Sequence, residues 1–189
     1  MTPTTRTAGP DDVESIARVA AVTFPLACPP GTETTDNAAH VTRHLSPEAF
    51  RRYLADPDRT VLVVEGEGEG VGAAGGRRRV LGYAMLVRGE PADGEVATVL
   101  PGRPAVLLDK CYLLPEAQGT GAGDLLLAAA TREAVAGGAS CLWLGVNRQN
   151  ARAARFYERH GLRVVGRRSF RVGQVVHEDD VRALGLGTR

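Results

Sequence analysis

Residues Gln118-Gly119-Thr120-Gly121-Ala122-Gly123 constrain this chain more than any other stretch. Ahead of them runs an apolar segment, Val106 to Leu114, that reads as a strand. Behind them, Asp124-Leu125-Leu126-Leu127-Ala128-Ala129-Ala130 reads as the start of a helix. A strand, a glycine-rich turn and a helix start make a cradle for an anion. The first N–H groups of a helix have no intrahelical partner, and the helix dipole favours negative charge there. Glycine lets the main chain approach a phosphate closely. A phosphorylated ligand is therefore expected, and a plain tight turn without a ligand is the rival reading.

Three phosphate-binding patterns compete for this segment. A P-loop needs Lys followed by Ser or Thr after its last glycine. Asp124 follows Gly123, with no lysine near, so that pattern fails. A dinucleotide fingerprint needs a third glycine where Asp124 stands, and an acid near Asn147, so it is poorly matched. The third pattern is Gln/Arg-x-x-Gly-x-Gly/Ala, met by Gln118, Gly121 and Gly123.

The residues after the turn narrow the choice. Ser140 to Val146 is a short apolar strand, then Asn147 to Leu162 carries Asn150, several alanines, Phe156-Tyr157 and Gly161. Loop, strand and helix in this order, over about residues 60–183, resemble the GNAT superfamily of N-acetyltransferases. The tail Arg168-Ser169-Phe170-Arg171-Val172-Gly173, with Asp180 after it, loosely resembles the polyamine-acetyltransferase-like branch. The resemblance implies acetyl-CoA as cosubstrate and an acetyl group moved to an amine. It implies that the pyrophosphate lies on Gln118, Gly119, Thr120, Gly121, Ala122 and Gly123. It implies that pantetheine pairs with the main chain of Leu113 and Leu114 and bonds Asn150. Tyr157 would face the sulfur as general acid.

Each of these residues has a plainer reading. Asn150 suits a helix cap. Tyr157 suits a packed aromatic. The general base is where this chain departs from the family, because many members carry Glu at the position of Leu107. Strand alternation puts Leu107, Asp109, Cys111 and Leu113 on one face and Leu108, Lys110 and Tyr112 on the other. Asp109 is then the nearest acid, as base or as a salt-bridged residue. Cys111 reads as a small buried hydrophobe. His40 and His44 read as surface residues, and no metal site is expected, since the Glu of a zinc-protease helix is missing. The rival to an N-acetyltransferase is a non-catalytic acyl-CoA-binding or regulatory module.

The remaining organisation comes from composition and pattern. A length of 189 residues makes 1–189 one domain by size. A net charge of +1 points to neither a nucleic-acid nor a membrane partner. The partner is expected to be a small-molecule or peptide amine, and the resemblance adds a homodimer. Cys28, Cys111 and Cys141 are far apart with no Cys-x-x-Cys pair, which suggests a reduced, cytoplasmic protein. Asp11 with Glu14 three residues on has the pattern of a capping box. Helices are expected at about Asn37–Leu45, from Ser46-Pro47 to Ala55, at Gly121–Val135 and at Asn150–His160. Strands are expected at Thr60–Glu65, Val80–Val87, Ala105–Leu114, Ser140–Val146, Leu162–Phe170 and Val175–Ala183. Residues 65–79 and 88–103 read as connections, the first with a basic cluster at Arg77-Arg78-Arg79 taken as a solvated edge. Acidic Glu33, Asp36, Glu178, Asp179 and Asp180 are read as solvated, with attraction of a cationic acceptor as the sharper alternative. Strands that come first in antiparallel order and then alternate with helices make an α+β or mixed α/β protein. By resemblance it is a GNAT fold, a twisted mixed sheet with helices on both faces.

Overall fold

The computed structural model describes residues 2–28, 34–67, 78–172 and 175–187. Side chains of 34–37, 67, 170–172 and 175–177 are not described. Arg77, Glu33 and the side chain of Asp36 thus lie outside the described residues. The chain runs β1 (Thr4–Thr7), α1 (Val13–Ala27), α2 (Thr34–His44), α3 (Pro47–Ala55), β2 (Arg59–Glu67) and β3 (Arg78–Arg88). It continues through α4 (Gly94–Val99), β4 (Ala105–Leu113), α5 (Ala122–Ala136), β5 (Cys141–Asn147), α6 (Ala151–Arg159), β6 (Arg163–Val172) and β7 (Val175–Gly185).

Seven strands form one sheet in the order β1-β2-β3-β4-β5-β7-β6. Every neighbouring pair is antiparallel except β4 and β5, which are parallel. Parallel neighbours need a crossover, and α5 supplies it. Helices cover both faces. Leu126, Leu127 and Ala130 of α5 pack with Leu62, Ala84, Leu86, Leu142 and Leu144 on one face. Ile16, Val19 and Ala20 of α1 and Phe50 of α3 pack with Val61, Val63, Tyr83 and Met85 on the other. That side-by-side alternation is what the β-branched, period-two pattern of β2 and β3 dictates.

Local signals account for most boundaries. Ser46 Oγ accepts from Ala49 N at 3.3 Å, the cap expected ahead of Pro47. Gly137 caps α5 and Gly138 leaves it at φ +79°. The capping box expected for Asp11 and Glu14 is displaced. Asp12 instead accepts from Gly9 N at 2.8 Å, and its other partner is Arg6, at 2.7 Å. Arg6 also reaches Glu65 at 2.5 Å, so one guanidinium ties edge strand β1 to α1 and β2. Helix α4 lies in the stretch read as a connection, and strand β1 lies where no element is expected; both are too short to show a period. Arg78 and Arg79 open β3 and pair with Glu65 at 3.6 Å and Glu116 at 2.7 Å.

Candidate active site

The sheet opens where β4 and β5 part. The two strands pair only at Ala105–Cys141, Val106–Leu142 and Leu107–Trp143. Beyond that, β4 stays with β3 to Leu113, and β5 stays with β7 to Asn147. The divergence leaves a cavity of about 900 Å³.

A β-bulge in β4 decides what faces this opening. Met85 pairs with Lys110 and Leu86 with Leu108, so Asp109 is the extra residue. The bulge overturns the simple alternation. Leu108, Cys111 and Leu113 belong to the α5 face, whereas Leu107 packs with Trp143 and Val96 on the other. Tyr112 lies on the α1 face. Asp109 lines the cavity and its Oδ2 sits 2.5 Å from Lys110 Nζ. The position where many family members carry Glu therefore points into a packed cluster here.

Main-chain direction in β4 is set by its pairing with β3. Leu114 N–H donates to Leu81 O at 2.8 Å, and Leu114 O accepts from Ala117 N at 3.0 Å. Both of its groups are engaged within the chain, and its side chain is buried on the α1 face. Hydrogen-bonded and non-bonded pairs alternate in an antiparallel ladder, so Leu113 and Cys111 turn their main-chain groups away from β3. That is toward the gap left by β5.

At one end of the gap lies the glycine turn. Gly119 and Gly121 hold φ +81° and +85°. Gly121 is the N-cap of α5 with no side-chain cap. A Cβ built at either glycine meets nothing within 4 Å, so this surface is open to a ligand. Unpartnered N–H groups at a helix start, approachable from outside, fit a pyrophosphate. Gly123 differs. It has ordinary helical φ, and its Cβ would stand 3.1 Å from Leu113 Cδ1 and 3.3 Å from Phe156 Cε2. Its smallness serves the packing of α5 on β4 and α6. Gln118 Nε2 donates to Leu113 O at 3.3 Å and folds the turn back on β4. Thr120 Oγ1 donates to Ala117 O at 2.7 Å. Ala122 is buried in the core. Of the sequence-derived site residues, Asp109, Leu113, Gln118, Gly119, Gly121, Gly123, Asn150 and Tyr157 line the cavity, and Leu114, Thr120 and Ala122 do not.

Helix α6 brings the remaining groups. Asn150 Oδ1 accepts from Ala153 N at 3.0 Å, so it is an N-cap, and the residue lines the cavity. Tyr157 is 9% exposed. Burial, then the neighbouring Cys111, pushes its phenol well above its ordinary pKa. Burial likewise pushes the Cys111 thiol up to about 11. Tyr157 therefore keeps its proton, as a proton donor must.

Several cavity residues carry no signal along the chain. Phe24 on α1 and His40 on α2 stack at 4.4 Å and 5° between planes, so His40 is a wall residue, not a surface one. Desolvation, then His44 and Lys110, brings His40 down to about 4. Asp179 lies within β7, is 4% exposed, and meets Arg168 Nη2 at 3.2 Å. It corrects the solvated reading, while Glu178 and Asp180 do pair at the surface with Arg148, at 2.6 and 3.8 Å. Arg152 and Arg159 border the α6 end. Contacts between α1, α2 and β7 are set only in three dimensions, so no local signal announces them.

A mixed sheet opened between its one parallel pair, with an uncapped glycine turn beside the opening, makes a cleft suited to a phosphorylated ligand. The model of the acetyltransferase (GNAT) family matches residues 29–162. Uncharacterized N-acetyltransferases of Mycobacterium bovis and Mycobacterium tuberculosis are 41% identical over 169 residues, covering 89% of this chain and 94% of theirs. PaiA N-acetyltransferase of Thermoplasma acidophilum, solved with coenzyme A, is similar at TM-score 0.69 and 17% identity, over 98% of this chain and 100% of that one. NAA60 of Arabidopsis thaliana, solved with a bisubstrate analogue, is similar at TM-score 0.72 and 14% identity, over 98% and 100%. The chain belongs to the acetyltransferase (GNAT) family, a family of N-acetyltransferases.

Proposed function

We propose that the chain is one acetyltransferase domain that moves an acetyl group from acetyl-CoA to a primary amine of a small molecule or peptide by direct attack on the thioester. One observation carries this reading. A single cavity, at the gap where β4 and β5 part, is lined by the open glycine turn, by Leu113 and Cys111 of β4 and by Tyr157. Acetyl-CoA would supply the activated acyl group. Gly119, Gly121 and the first turn of α5 would hold its pyrophosphate. The main chain of Leu113 and Cys111 would hold its pantetheine, with Asn150 donating from its amide.

The chain's own chemistry is proton management and positioning. Tyr157, kept protonated by burial, would donate to the departing thiolate. Asp109, at the cavity wall, would accept the amine proton directly or through water. Cys111 and Cys141 are free thiols, which fits a reducing cytoplasm. The packing of Leu107 among Trp143 and Val96 favours a second reading, an acyl-CoA-binding module without turnover.

The two readings part in one experiment. Calorimetry with acetyl-CoA and CoA release with amines are measured for the wild type and Tyr157→Phe. An interaction made only in the transition state appears in kcat and not in binding. The enzyme reading expects Tyr157→Phe to bind acetyl-CoA normally and lose on the order of 10²–10³-fold in kcat. Binding without any CoA release from the wild type would establish the binding module instead.

A further inference from the structure

The cavity has two unlike ends. Toward α6 it is bordered by Arg152 and Arg159. Toward α1 it is walled by Phe24, Leu26, Ala27, His40 and Tyr112, with the carboxylates of Asp109 and Asp179 set among them. Asp109, Cys28 and Asp179 each lie within electrostatic reach of the Tyr112 phenol.

Both carboxylates are already matched by cations of the chain. Asp109 meets Lys110 at 2.5 Å, and Asp179 meets Arg168 at 3.2 Å. The second pair is built in. A Cβ at Gly145 would collide with both Arg168 and Asp179, so the absence of a side chain there makes room for it. Arg168 also lies over the Trp143 ring, 5.8 Å from its centroid. Among the described residues, two ion pairs of zero net charge leave this end without surplus negative potential to attract a polycation. His40 adds none, since it is neutral at pH 7. Phe24, Leu26, Ala27 and Tyr112 make much of this end apolar and aromatic. Leu26 is 67% exposed at the rim, and the Phe24 and His40 rings stack nearly parallel in the wall.

We propose that the amine acceptor is a monoamine with an aromatic body, held against Phe24, His40 and Tyr112, rather than a polyamine or an aliphatic lysine side chain. This deepens the acetyltransferase reading and rests on it. A flat ring stacks on aromatic walls with energy beyond its area. The ammonium meets paired carboxylates that orient one charge without rewarding a second. A small arylalkyl amine and a peptide with an aromatic N-terminal residue share this chemistry.

The test is a CoA-release panel of 2-phenylethylamine, a Phe-Ala dipeptide, spermidine and Nα-acetyl-lysine, with acetyl-CoA affinity measured by calorimetry. The expected result is a kcat/KM for one of the first two at least about tenfold above both others. The stronger of those two identifies the source. Phe24→Leu keeps apolar volume and removes the stack. It should lower kcat/KM for the preferred aromatic amine by about tenfold, through KM, with acetyl-CoA affinity unchanged. Preference for spermidine or acetyl-lysine overturns the inference and leaves the acetyltransferase reading standing. An unaffected Phe24→Leu variant overturns it as well. Failure to bind acetyl-CoA at all would remove the acetyltransferase reading and this one together.

Discussion

At the scale of single residues, Asp109 shows how one extra amino acid redirects a strand. It is the bulged residue of β4, so the face assignments before and after it are opposite. It touches both the cavity and Lys110. As the base, it would be lost in Asp109→Asn, which cannot accept the proton yet keeps hydrogen-bonding capacity. The variant should lose most activity at neutral pH, retain acetyl-CoA binding, and recover partly at high pH where more amine is already neutral. The deciding measurement is kcat/KM against pH for both proteins with one amine. Superimposed profiles would assign Asp109 to the Lys110 ion pair alone.

At the scale of elements, the turn into α5 separates two uses of glycine. Gly121 holds φ +85° with open space around it, whereas Gly123 is helical and wedged between Leu113 and Phe156. Gly121→Val forces a β-branched residue into the left-handed region, at a cost of about 1–3 kcal/mol. Gly123→Val puts methyl groups where Leu113 and Phe156 already stand, so overpacking costs about 1–3 kcal/mol. The two differ in what they disturb. Gly121→Val should weaken acetyl-CoA binding by more than its loss of melting temperature accounts for. Gly123→Val should lower melting temperature and shift α6, which carries Tyr157. Denaturant melts and calorimetry on both variants check this. Wild-type acetyl-CoA affinity in a folded Gly121→Val protein would move the pyrophosphate site elsewhere.

At the scale of the whole molecule, the acceptor side depends on α2 docking against α1 through His40 and Phe24. His40 has a folded pKa of about 4 against 6.5 for the free group. Between those values the unfolded chain binds a proton that the folded chain refuses. Stability from this site is therefore fully present above about pH 6.5 and is lost as pH falls toward 4. Melting temperature should drop across that window more for the wild type than for His40→Gln. Equal slopes would mean that His40 does not control the docking.

Local chemistry could be read along the chain. A glycine turn between an apolar strand and a helix, with Asn150 and Phe156-Tyr157 after it, was legible because strands, caps and turns depend on near neighbours. Ser46, Gly121, Gly137 and Asn150 sit at helix ends as their types demand. The twisted mixed sheet with helices on both faces comes from the same alternation and from the family likeness. Features that rest on distant partners were settled by packing alone. The bulge at Asp109 appears only when β4 is laid against β3. Asp179 is buried only because Arg168 and the space at Gly145 receive it. His40 becomes a cavity wall only through Phe24, sixteen positions earlier in the chain. Periodicity reports which side of an element is apolar. It cannot report which other element meets that side, because long-range contacts are fixed by the energy of the whole packed arrangement.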